Sequence, residues 1–280
     1  MPSFDTPEPI SVTAHVSGGS IQFTAADRLD TVVEVRPRDP KKDKDVRAAE
    51  QTEVTHAGGV LTLRTKQRSL IGSAGAVDVR VDLPTGSQLE VTGSWLQVLG
   101  EGRLGGVRVK TSSGDVRLDT TGPLHLTASH GSITVNRVEG TAEITTSSGS
   151  LRVGLLDGPA VLKNSHGTTT VGTAIGELRV RGANGDIDIT RAENSVTAVT
   201  AHGALRVNEV ARGAVRLETS YGAIDVGVRA GTAAWLDVSS ERGQVRNTLA
   251  DSETPEETED TIEVRARTRW GNIDVRRAKA

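Results

Sequence analysis

The amino-acid sequence predicts an all-β protein: a single-stranded β-helix, or β-solenoid, with about 18 residues per coil and a β-rich N-terminal cap. Three observations carry that expectation. A short turn motif ending in glycine recurs at nearly constant spacing, an apolar–polar–apolar triplet follows each of those glycines, and the composition is poor in aromatic residues. Aromatics make up only 2% of the 280 residues, against 35% hydrophobic residues overall. A broad globular core usually draws on Phe, Tyr and Trp, which bury the most area each. Val, Ile, Leu and Ala suit a narrow interior lined by strands, and 31 glycines suit recurrent tight turns.

The repeat is read by aligning the segments TSSGDVRLD, ASHGSITVN, TSSGSLRVG, NSHGTTTVG, GANGDIDIT, TAHGALRVN, TSYGAIDVG, SERGQVRNT and TRWGNIDVR. Their glycines are Gly114, Gly131, Gly149, Gly167, Gly185, Gly203, Gly222, Gly243 and Gly271, spaced 17, 18, 18, 18, 18, 19, 21 and 28 residues apart. Two and four residues beyond each glycine the side chains are mostly apolar, as in Ile187 and Ile189 or Leu205 and Val207, with a polar residue between. That alternation is the signature of a half-buried strand. A second strand precedes each turn (Val107 and Val109, Leu124 and Leu126, Leu178 and Val180, Val215 and Leu217). A further apolar contact follows at Val138, Leu156, Ala192 and Val210.

Strands recurring at this period fit either a β-sandwich or stacked coils. Every unit repeats its inward pattern in the same direction, so equivalent strands are able to stack in parallel, about 4.8 Å apart. No coil buries its apolar face alone, and stability comes from neighbours. The outward residue of the triplet reads Asp188, Arg206, Asp225, Arg246 and Asp274. Stacked in chain order, these would alternate in sign and attract, which favours the solenoid over the sandwich.

Residues 1–92 fall outside the register and read as the cap. Strands are expected over Ile10–Val16, Ser20–Thr24, Thr31–Val35, Val60–Arg64 and Ala76–Val81, with one short charged helix over Pro40–Gln51. Residues 93–280 read as coils, interrupted by an acidic, Pro-containing loop at 249–260. Trp235 and Trp270 fall in the last two coils, where large side chains are expected to close the far end.

The succession VDVRVDLPTGSQLEV, then VRVKTSSGDVRLD and further SSG or SHG coils, resembles the DUF4097 β-strand repeat family. Its domain is also called toastrack, and its members are often labelled putative adhesins. The resemblance runs from about residue 10 to the end. It implies a β-helix-like module of bacterial envelope-stress and surface proteins, and it supplies no catalytic or binding residues.

The position before the turn glycine forms a polar column: Ser113, His130, Ser148, His166, Asn184, His202 and Tyr221, continued by Arg242 and Trp270. It reads either as a ligand ladder along one edge or as a solvated turn position. The histidines fall on alternate coils, about 9.6 Å apart, too far to share an ion held at about 2.0–2.1 Å. The next column, Ser112, Ser129, Ser147, Ser165, Ala183, Ala201 and Ser220, is explained by turn chemistry. Adjacent pairs such as Ser129 and His130 supply neither the orienting acid nor the oxyanion hole of a triad. Gly100–Gly105 matches G-x-G-x-x-G, but a strand follows where a dinucleotide site needs a helix. Asp186 and Asp188 sit in a strand that otherwise looks structural.

The expectation is therefore a non-enzymatic scaffold or interaction module that presents polar ladders to an envelope-associated protein partner. No catalytic, cofactor or metal residues are assigned. A glycan-active lyase or hydrolase on the same architecture is the alternative of another class, and self-assembly through terminal coils is a third. A net charge of −3, from 33 basic and 36 acidic residues, argues against nucleic acid as partner. The absence of cysteine removes thiolate chemistry. MPSFDTPEPI has no signal-peptide character and no apolar run is long enough to span a bilayer, so the expected location is cytoplasmic.

Overall fold

A computed structural model describes residues 2–65, 75–249 and 261–278. The chain divides into two compact units, residues 1–139 and 140–280. Each is built from coils of two strands, one ending at the turn motif and one leaving it, as in Leu178–Asn184 and Ile187–Ala192. The solenoid predicted from the period is the observed fold class.

In the second unit every described strand pairing is parallel, and the register is continuous except for one shift between Val207 and Val210. One internal file runs Leu151, Thr169, Ile187, Leu205, Ile224, Ile273, Val245. All but the last are at most 2% exposed. The parallel sheet thus winds round an interior mostly of Val, Ile, Leu and Ala, in which each coil covers the apolar surface of its neighbour. Leu156, Ala192 and Val210, predicted as the third contact of each coil, are fully buried.

The turn explains the glycine. Gly203 has φ +142° and Gly167 φ +126°, conformations open in practice to glycine alone. A Cβ at either would also lie about 2.2 Å from the carbonyl oxygen of the turn glycine in the neighbouring coil. Beside the turn, Asp186 accepts a hydrogen bond at 2.8 Å from the backbone N–H of Ala204 on that coil. Asp115 does the same for Ser132 in the first unit. Just inside the turn, the buried Asn164 amide donates to the carbonyls of Gly149 (3.1 Å) and Gly167 (3.2 Å).

The order of the last coils differs from the order of the chain. The coil of residues 261–277 lies between that of 213–228 and that of 233–247: Gly213–Tyr221 pairs with Thr261–Trp270, which in turn pairs with Ala233–Arg242. The alternating charge column expected from chain order therefore fails at its end. Asp225 faces Asp274, and Arg246 lies beyond Asp274. Arg276 relieves the like-charge contact by pairing with Asp225 at 3.1 Å. Earlier in the column the expectation holds, with Arg206 3.1 Å from Asp188. The two tryptophans do not close the far end either: Trp235 is 58% and Trp270 46% exposed. Trp270 belongs to the penultimate coil, and its ring stands on the outer edge.

The first unit contains all the described antiparallel pairings. Ser3–Asp5 pairs with Asp30–Pro37, which pairs with Val77–Pro84, and Thr52–Ala57 pairs with Val60–Thr65. These short reversed strands fall within residues 1–92, where the sequence predicts a cap, and they interrupt the parallel pairing seen elsewhere. Ser11–His15 and Gly18–Ala26 already pair in parallel with coil strands, both of them with Gln88–Arg103. The helix is Asp43–Glu50, shorter than expected; its buried Asp45 accepts a hydrogen bond from the N–H of Ala76 at 2.9 Å. Gly100–Arg103 ends a strand, and Val107–Ser113 follows Gly105 and Gly106 as another strand. The acidic loop expected at 249–260 lies, apart from Leu249, outside the described residues. No described helix is long and apolar enough to cross a membrane.

Candidate functional site

The column before the turn glycine becomes a continuous row of side chains on one edge of the second unit. Register places Ser148, His166, Asn184, His202, Tyr221, Trp270 and Arg242 on successive coils. In the first unit the same position holds Trp95, Ser113 and His130. The residue falls outside the strand alternation because the chain turns the corner at the following glycine, so its side chain stays in solvent.

The two ends of the second unit's row differ chemically. From Ser148 to Asn184 it carries small polar groups and one imidazole, His166, whose Nδ1 lies 3.3 Å from the carbonyl oxygen of Ser147. From His202 onward it is a stack of planar groups. The rings of His202 and Tyr221 are 4.8 Å apart and 10° from parallel, and those of Tyr221 and Trp270 are 6.3 Å apart at 13°. The guanidinium of Arg242 lies 4.3 Å from the centroid of the Trp270 ring. Parallel strands repeat at about 4.8 Å, which sets the rings at stacking distance without further adjustment. Tyr221 is half exposed, as is Trp270. Ring faces are taken up by neighbours, so solvent meets ring edges, where imidazole, phenol, indole and guanidinium carry their polar groups.

Beside the planar stack lies a groove of about 420 Å³, lined among others by Glu218, Ser220, Ser239, Glu241, Arg267 and Arg269. Ser220, Glu241 and Arg269 directly precede the ladder residues Tyr221, Arg242 and Trp270 in the chain. Arg267 is held by Asp237 at 3.1 Å and Glu218 by Arg216 at 2.7 Å. A second charged cluster joins Arg229 to Glu209 (2.6 Å) and Glu193 (2.9 Å). The hydrogen bond that Arg229 donates holds the Glu193 carboxyl below its ordinary value, and its acceptance by Glu193 raises the guanidinium. Among the described residues no group of three His, Asp or Glu side chains is placed to hold a metal ion.

Sequence reasoning found the column but not its most distinctive stretch. Arg242 and Trp270 occupy the repeat position, yet chain order separates Trp270 from Tyr221 by the Arg242 coil, which hides the three-ring stack. Trp95 escaped because Leu96 stands where the turn glycine is expected. Arg269 carried no signal beyond being a charged strand residue.

Comparisons with known proteins follow the fold. Solved structures similar to this chain include a putative adhesin from Bacteroides fragilis (16% identity, TM-score 0.39) and a putative lipid binding protein from Parabacteroides distasonis (12%, 0.41). A putative adhesin from the latter organism matches at 11% identity with a TM-score of 0.34. In each case the match covers 98% of this chain and 95% of the other. No curated protein matches the sequence. The model of the DUF4097 (Toastrack) family matches residues 10–277, and the chain belongs to that family.

Proposed function

We propose that this protein is a non-enzymatic interaction module that engages an envelope-associated partner through the ladder edge of its second unit. The observation that supports the reading is the exposed row His202, Tyr221, Trp270 and Arg242, whose aromatic rings stack in solvent. Tyr, Trp and Arg are the residues that most often dominate binding surfaces, since they offer large rigid contact area with a polar handle. The turn itself does not need them there: it is built by the glycine and by the carboxylate or amide beside it, and serine occupies the same position in other coils. The test is capture of partners from soluble and membrane fractions with the wild-type protein and with the doubly substituted Tyr221→Ser, Trp270→Ser variant. Partners retained by the first and lost by the second support the reading. An identical set from both proteins overturns it.

A second reading, self-association, is favoured by the terminal coil. Ala233–Arg242 and Val245–Asn247 each pair with one described strand, and among the described residues nothing pairs with their opposite edge. Leu236 and Val238 are only half buried there, and Val245 is 44% exposed. An open edge of this kind accepts another strand, and a second copy of the chain supplies the matching pattern. Light scattering across a wide concentration range tests this: a constant monomer mass at the highest concentration overturns it.

A further inference from the structure

The groove and the ladder beside it have a donor and acceptor pattern that fits one class of ligand. Arg242 spends the face of its guanidinium on Trp270 and makes no ion pair among the described residues, which leaves its in-plane N–H groups for a ligand. Stacked guanidinium groups retain the fork that grips a carboxylate with two hydrogen bonds. Arg269, next to Trp270 in the chain, is exposed and also makes no ion pair among the described residues. One guanidinium thus stacks on the Trp270 ring, and the other belongs to the next residue in the chain and lines the groove. Along the row, the edges of Tyr221 and His202 offer further polar atoms at strand spacing.

The groove adds the opposite chemistry. Glu241 is exposed and has no ion-pair partner among the described residues, and Ser220 and Ser239 add hydroxyl oxygens. A ligand that only accepts hydrogen bonds, such as a polyphosphate, satisfies the arginines but meets Glu241 with repulsion. A ligand of hydroxyls alone satisfies Glu241 and the serines but leaves both guanidinium groups unused. The lining is polar throughout apart from Val199, so it provides no pocket for the apolar anchor of a protein partner.

We infer that the groove and ladder bind a linear acidic glycan of uronic acid units, laid across successive coils. Its carboxylates are held by Arg242 and Arg269, and its hydroxyls donate to Glu241 and the groove serines. This rests on the reading that the ladder edge is the binding face, and it names the ligand class for that face.

The experiment is a calorimetric titration of the full chain with three probes of matched length: an oligogalacturonate, a neutral cello-oligosaccharide and an inorganic polyphosphate. The expected result is binding of the oligogalacturonate in preference to both others, weakening as salt is raised. Replacing Arg242 and Arg269 by Gln is expected to weaken it about tenfold or more. Both side chains are exposed, so a cooperative melting curve close to that of wild type, lowered only by loss of the Arg242 stack on Trp270, will show that the fold is kept. Equal or tighter binding of either control, no binding of the oligogalacturonate, or undiminished binding by the double variant overturns the inference. If capture of membrane-fraction partners still depends on Tyr221 and Trp270 in that event, the ligand class fails while the binding face stands.

Discussion

Tyr221 and Trp270 stack their rings 6.3 Å apart on neighbouring coils, although the coil of residues 233–247 lies between them in the chain. The final segment of the chain turns back and enters between two coils that precede it. Turn glycines follow the same order: a Cβ on Gly271 would strike the carbonyl of Gly222, and one on Gly243 that of Gly271. This exchange assembles three planar groups, Tyr221, Trp270 and Arg242, in the sequence that the proposed binding edge requires.

The exchange also sets Asp225 opposite Asp274, with Arg276 as the compensating charge. Arg276→Gln is expected to destabilise the protein by about 0.5–1 kcal/mol, because like charges directly opposite repel. Adding Asp225→Asn should restore much of the loss. Urea midpoints of the single and double variants check this, and additive losses would argue against the pairing.

Turn glycines should tolerate no side chain. Gly203→Ala forces a Cβ onto the Gly185 carbonyl at a φ of +142°, and a loss of about 3 kcal/mol or more is expected. Gly58→Ala is the contrast: its φ is +57° and nothing lies within 4 Å, so the loss should stay at about 1–2 kcal/mol. Thermal melts of the two variants compare these costs directly.

Position along the internal file should decide the effect of truncation. Leu205, fully buried between Ile187 and Ile224, should lose about 2–5 kcal/mol on replacement by Ala. Val245 occupies the same file in the terminal coil but is 44% exposed, and Val245→Ala should cost about 0.5 kcal/mol. Equal losses would mean that the terminal coil is covered in solution, as a second copy docked on it would require.

The Arg229 cluster gives a pH dependence. Arg229 lowers the Glu193 carboxyl from its usual 4.5, so the folded protein holds that proton less tightly than the unfolded chain. The resulting stabilisation is fully present above the usual glutamate range and is lost as pH falls through the lowered folded value. The difference in melting temperature between wild type and Glu193→Gln should therefore be constant near neutrality and shrink on acidification below about pH 4.5. A difference that grows with acid would contradict the assignment.

Much of this was legible in the residues themselves. Glycines at a period of 18, flanked by inward apolar pairs, specify a coil because each requirement is local: a backbone conformation at the turn and alternation on either side of it. The row from Ser148 to Tyr221 followed for the same reason, since one position in each repeat points to one place on the edge. Chain order then proved insufficient at Asp225, Arg246 and Asp274, and at Trp235 and Trp270.

The sequence by itself determined the coil, its interior and its exposed columns, through steric demands and burial that each unit satisfies in the same way. Only the tertiary structure decided which coil lies on which at the end of the second unit. Segments 213–228, 233–247 and 261–277 present nearly the same inward pattern, so local rules admit either order. Two interactions between neighbours, the Tyr221–Trp270 stack and the Arg276–Asp225 pair, exist only in the order observed.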